Sequence, residues 1–183
     1  MGWIKVVKDA VYEATAAAFG MDPDAQSTAD RIVPAYEPDV TTPQYNSDDD
    51  VIFFAVEEET SEDLNSVFIK GAEEALEVTK VIPVSVLFTF YGPNAEDRVE
   101  DFRSRLMIDT GYGCPREILR RNKIVLNYGL GMMPPRPVSV PELEGTLWRR
   151  RCDLRLSMSY LSVETMGMTP VEEVPEVGIN VAE

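Results

Sequence analysis

The first stretch of the chain repeats apolar residues at helical spacing. In WIKVVKDAVYEATAAAF, Ile4, Val7, Ala10 (or Val11), Ala14 and Phe19 fall on one stripe, and Gly20 offers a stop, which predicts a helix over 3–19. MDPDAQSTAD then reads as a polar, turn-rich linker. Residues 31–50 hold Pro34, Pro38, Pro43 and the run Asp48-Asp49-Asp50, so they are expected to be irregular or extended. VIFFAVEEET (51–60) begins as a strand-like run and ends in Glu57, Glu58 and Glu59. Residues 61–77, with Leu64, Val67 and Phe68 among acids, fit either a short helix or an acidic loop.

Alternation becomes clear in VIPVSVLFTFYG. Ile82, Val84, Val86, Phe88 and Phe90 take one face, with Ser85 and Thr89 on the other, which predicts a half-buried strand. Gly92-Pro93-Asn94 breaks it and starts a helix, with Pro93 suited to the first turn and Glu96 and Asp97 favourable near the N-terminus. Ala95, Val99, Phe102 and Leu106 form that helix's apolar stripe, and Arg98, Arg103 and Arg105 decorate the rest. CPREILRRNK predicts a shorter helix that exposes Arg120, Arg121 and Lys123, and IVLNYGL a strand. GMMPPRPVSVPEL is proline-rich and extended, with Met132 and Met133 as candidate contact residues.

WRRRCDLRLSMSYL (148–161) alternates most cleanly and predicts a long strand. Cys152, Leu154, Leu156, Met158 and Tyr160 make its inner face, and Arg151, Asp153, Arg155, Ser157 and Ser159 its outer face. By the same parity Arg150 falls near the inner edge. PVEEVPEVGINV predicts a final strand through Val177, Ile179 and Val181.

Composition narrows the chemistry. At 183 residues the chain suits one domain, and no run of about 18 apolar residues predicts a membrane span. Lys5, Lys8, Asp9 and Glu13 interrupt the N-terminal apolar positions, against a signal peptide. There is no histidine, and Cys114 and Cys152 stand far apart, so a zinc site, a disulfide framework and His-based catalysis are not expected. The two thiols fit buried groups in a reducing compartment. The Asp48–Asp50 run lacks the spacing and glycine of a calcium loop. The Gly-rich turn at 129–131 lacks the Lys-Ser/Thr of a phosphate loop. No catalytic, cofactor or metal residue is assigned.

Net charge is −15, and its sign is segregated. From Asp22 to Asp63 thirteen acids face only Arg31, whereas from Arg98 to Arg155 twelve Lys or Arg face seven acids. The overall charge opposes DNA binding in free solution, and the segregation favours oriented association. Arg149, Arg150 and Arg151 form either a charged strand entrance lying over apolar surface or a protein partner site; direct sequence-specific DNA binding is a third reading, disfavoured because the sequence holds no recognised nucleic-acid module.

The ordered strings VSVLFTFYGPNAEDRVEDFRSRL, REILRRNKIVLNYGLG, VPELEGTLWRRRCDLRLSMSY and VEEVPEVGINV resemble the bacteriophage neck or tail terminator proteins. The matching residues are Tyr91, Gly92, Asn94 and Ala95, then Pro141, Glu142, Leu143, Trp148, Arg151 and Tyr160. The likeness covers about 80–182 well and 31–60 loosely. The chain departs from it in the 3–19 helix and the acidic 37–63 span.

The resemblance implies an α+β fold, a mostly antiparallel β-sheet packed against two or more helices, in a ring-forming subunit. The ring is usually sixfold, caps the tail tube, joins it to the head-side connector and leaves a channel for DNA. It implies no catalysis and no cofactor. The partners implied are further copies of the chain, the tail tube protein and connector or neck proteins, with the tail sheath as a further candidate. DNA passes without specific binding and no membrane is involved. The location implied is the virion, after assembly in the host cytoplasm.

The chain divides into an N-terminal helix (1–20), an acidic linker (21–50) and a terminator-like domain (51–183). Candidate interface residues are the basic Arg98, Arg103, Arg105, Arg120, Arg121, Arg149, Arg150 and Arg151, and Met132 and Met133. The acidic Asp48, Asp49, Asp50, Glu57, Glu58 and Glu59 complete the set. A DNA mimic that fills the basic groove of a host enzyme is the alternative class.

Overall fold

Two seventeen-residue strands, β4 (Ala75–Tyr91) and β9 (Arg151–Gly167), pair antiparallel along their full length in the computed structural model. The structure describes residues 2–35, 45–46, 48–58, 67–72, 75–108, 111–128, 132–144 and 147–167. One flank of β4 carries β2 (Val51–Glu58) opposite residues 84–91 and β3 (Val67–Ala72) opposite residues 75–80. β1 (Ile32–Pro34) lies parallel on β2, and it is the one parallel pair among the described strands. The far flank of β9 carries β5 (Ile124–Leu126) and β6 (Val138–Ser139). A separate hairpin joins β7 (Glu142–Glu144) to β8 (Leu147–Arg149).

Even-numbered residues of the long strands face the helices. Ile82, Val84, Val86, Phe88 and Phe90 of β4 and Cys152, Leu154, Leu156 and Met158 of β9 are all buried, as the alternation predicts. Against them pack α1 (Trp3–Ala18), α3 (Ala95–Met107) and α4 (Pro115–Arg121). Phe102 of α3 is the hub of this layer. Its ring lies 4.9 Å from Phe88, 5.8 Å from Phe90 and 6.0 Å from Phe19. Alanines at 10, 14, 16 and 18 are buried on α1 and permit close helix approach.

The ends of the helices follow from their residues. Gly20 takes φ +64°, its N–H donates to Ala17 O, and Met21 N–H donates to Ala16 O, which closes α1 in a Schellman turn. Glu96 and Asp97 start α3 and Arg105 ends it; Pro115 and Glu117 start α4 and Arg120 and Arg121 end it.

Five expectations change. The 61–77 segment was read as helix or acidic loop, but its described part is β3 and the start of β4, because pairing along β4 satisfies a backbone that lacks its own periodicity. The supposed linker contains a short helix, α2 (Gln26–Ala29). Pro93 stands outside α3, whose N-cap is Asn94. WRRR does not continue the long strand: Leu147–Arg149 belong to the hairpin, the chain breaks at Arg150, and β9 starts at Arg151. Parity therefore does not reach Arg150, which is exposed. Ser85 and Thr89, read as the open face, are buried. Arg155 Nη1 donates to Ser85 Oγ at 3.2 Å, and Thr89 sits between Phe53 and Asp153 in the ladder. The predicted strand at 170–181 lies outside the described residues.

Asp50 holds the turn from β4 into α3. Its Oδ1 accepts from Asn94 N at 3.2 Å and its Oδ2 from Asn94 Nδ2 at 2.9 Å. Gly92, at φ +115°, lets the chains touch there, since a Cβ would stand 2.8 Å from both Asp49 O and Asp50 Cα. Gly92→Ala is expected to lose about 2–3 kcal/mol through overpacking and an unfavourable φ, read by urea unfolding. Asn94→Ala, which removes only the clamp, is expected to lose less.

Candidate subunit and partner interface

Tyr91 ends β4 on the face away from the helices, directly opposite Arg151. Phe53 meets its ring edge-on at 5.7 Å, and Tyr45 meets Phe53 in the same way at 5.7 Å. Arg149 places its guanidinium carbon 4.6 Å from the Tyr91 ring centre and Arg151 places its own at 5.9 Å. The Tyr91 hydroxyl donates to Glu142 Oε2 at 2.8 Å. Arg151 donates twice to Asp153, at 2.9 Å each, and once to the same Glu142 oxygen at 3.4 Å. A forked pair of this kind fixes geometry as well as charge.

These contacts set the local electrostatics. Burial, then the hydrogen bond to Glu142, pushes the Tyr91 hydroxyl up to about 12, against the pull of Arg151 and Arg149. The Asp153 hydrogen bonds hold Arg151 above the ordinary arginine value, with burial opposing. Burial pulls Arg98 down; Asp50 opposes it and Arg31 adds to it.

Glu142 and Arg149 are opposite each other on the hairpin, and the next pair is Leu143 with Trp148. Successive strand residues point to opposite faces. Thus the Glu142–Arg149 face is tied to Tyr91 and the other face carries Leu143 and Trp148, which are 56% and 70% exposed. Met132, Met133, Val138 and Val140 are exposed as well. Six of the ten exposed large apolar side chains among the described residues therefore fall between 132 and 148. Sequence reasoning named only the two methionines as contacts. Glu144-Gly145-Thr146-Leu147 between apolar positions was the available hairpin signal.

Most of the expected basic residues make contacts within the chain. Arg98 stacks on Phe19 at 4.7 Å. Arg103 donates to Pro134 O and Glu100 at 2.8 Å each, and Arg105 donates to Asp101 at 3.2 Å. Arg121 pairs with Glu13, and Arg120 is exposed at the end of α4. Arg150 extends to Pro93 O at 3.3 Å. Of the acidic set, Asp48 and Asp49 are exposed, Asp50 holds the α3 turn, and Glu57 pairs with Arg155 at 3.0 Å. Glu58 ends β2, and Glu59 lies outside the described residues. Cys114 and Cys152 are buried and not in a disulfide, and burial pushes the Cys152 thiol up. Among the described residues no group of three or more Cys, Asp or Glu is placed to hold a metal ion. None of the described helices is long and apolar enough to cross a membrane.

Fold and surface together define an α+β protein with one mostly antiparallel sheet backed by helices, most of its described exposed large apolar side chains lying between residues 132 and 148. The chain belongs to the phage neck terminator protein family, whose family model matches residues 5–183. Its role is structural, in the phage tail and neck. The match takes in α1 from residue 5 onward and the acidic 37–63 span, the two regions where the sequence departs from the resemblance. A search of the curated proteins found no match.

Tyr91 holds its proton more tightly in the folded chain than in the unfolded chain. Its contribution to stability is therefore present below its ordinary pKa near 10 and is lost as pH rises from 10 to about 12. Tyr91→Phe is expected to melt below wild type at pH 8, and the gap is expected to shrink as pH approaches 11.5. Thermal unfolding across that range checks the sign.

Proposed function

We propose that the chain assembles into a ring, sixfold by resemblance, that caps the tail tube, joins it to the head-side connector and leaves a channel for DNA. The observation that carries this reading is the concentration of exposed apolar side chains between Met132 and Trp148 in a member of the neck terminator family. Exposed large apolar side chains gathered in one segment of an otherwise charged chain support a contact role. Leu143 and Trp148 dock on the end of the tail tube. A buried tryptophan anchor contributes about 2 kcal/mol or more, whereas an exposed ion pair contributes about 0–1 kcal/mol. The hairpin thus sets affinity. Exposed Arg105, Arg120, Arg150, Asp48 and Asp49 set orientation with neck partners. The reading assigns no catalytic step and no cofactor, and places the protein in the virion after assembly in the host cytoplasm.

Trp148→Ala is expected to weaken binding to tail tubes about 30-fold with little change in melting temperature, because the side chain is exposed. Pelleting of the protein with tubes, and electron microscopy of the tube ends, give the readout. Equal binding by a folded Trp148→Ala variant removes the hairpin from the contact. A wild-type chain that stays small, ignores tubes and binds a basic host protein replaces the ring with the DNA-mimic reading.

A further inference from the structure

Beyond Tyr160, where Trp3 stacks at 6.2 Å, the β4–β9 ladder continues to Gly167. None of the described side chains of residues 77–81 and 161–165 is buried, and Lys70 on β3 is exposed. Residues 67–72, 75–81 and 161–167 thus make a three-stranded arm, β3–β4–β9, about 20 Å long at ~3.3 Å per residue. Among the described residues, no strand pairs with β9 beyond Tyr160 on the side away from β4, and none pairs with the outer side of β3.

The direction of the unpaired groups can be read from the ladder. Leu161 N–H donates away from β4, to Lys123 O at 2.9 Å, and Asn127 N–H donates to Ser157 O on the same side. Register is unbroken, so residues 163, 165 and 167 aim their N–H and C=O groups at the open edge. Lys70 and Thr165 both lie opposite Glu77. The alternation across β4 then turns residues 67, 69 and 71 of β3 outward at the other edge. Both edge strands run antiparallel to β4, and so parallel to each other.

We infer that the arm forms the contact between neighbouring subunits: the β3 edge of one copy pairs in parallel with the β9 edge of the next. This rests on the ring reading and names its interface. A second copy fits because the two edges are similar in length, run in the same direction and lie on opposite sides of one arm. Each subunit therefore has one edge to give and one to receive. A contact between two different patches repeats head to tail and closes when its rotation closes. Lys70 and Glu164, exposed on the two edge strands, discourage indiscriminate pairing with other sheets.

Thr165→Pro tests this, because it removes an outward N–H and leaves the β4 ladder intact. The variant is expected to keep the wild-type circular dichroism spectrum and to form rings at least 10-fold less well on tail tubes, read by mass photometry and electron microscopy. A second test pairs Lys70→Cys with Val163→Cys or with Thr165→Cys. Within one subunit β4 separates these positions by two strand spacings, ~9–10 Å, beyond disulfide reach. The native cysteines are buried. Oxidation is therefore expected to give a ladder of cross-linked oligomers from one double variant and none from the single variants. Rings formed normally by Thr165→Pro, with neither double variant cross-linking, overturn the edge pairing and leave the ring intact. A wild-type chain that forms no rings overturns both.

Discussion

The register between β4 and β9 is the constraint on which the other features depend. Side chains alternate with a period of two, so a slip of one residue would turn Phe88, Phe90, Leu154 and Leu156 from the helices to the opposite face. It would also separate Tyr91 from Arg151, and with them the anchor for the β7–β8 hairpin. Burial of the even-numbered face stabilises by roughly 1.5–3 kcal/mol for each large apolar side chain. That far exceeds any surface ion pair here. The apolar face therefore sets the register, and the polar contacts at its ends act on strands that are already placed.

The arginines show how an acidic chain uses its few cations. Arg151 spends its fork on Asp153 and Glu142, Arg103 reaches a backbone carbonyl and Glu100, and Arg98 and Arg149 lie over aromatic rings. Most of this positive charge holds one chain together. Arg151 already faces carboxylates, Arg149 stacks on Tyr91, and Arg150 extends to Pro93 O.

Legibility in the sequence followed burial. Helix 3–19 and the stripe Ala95, Val99, Phe102 and Leu106 were readable because one face of each meets the core. So were 82–90 and 152–160. Residues 77–81 were not, because none of their side chains is buried to impose a period. The strand boundary at Arg150 left no mark in the sequence, because basic residues continue across it. Arginine chemistry was legible, but the partners were not. Arg121 with Glu13 and Arg155 with Glu57 join residues 108 and 98 positions apart, distances that periodicity does not encode. The Leu143–Trp148 pair entered only through resemblance, since two exposed apolar residues in a proline-rich segment carry no core signal.

The long strands also separate two kinds of contact. The hairpin sits where β9 begins, and the arm lies toward its end, about 30–50 Å along the strand at ~3.3 Å per residue. On the proposed reading, the arm joins neighbours around the ring, which leaves the hairpin end for the tube. Backbone pairing suits the first task, because a strand ladder is directional and the same at every subunit boundary. An apolar anchor suits the second, because it tolerates small differences in approach.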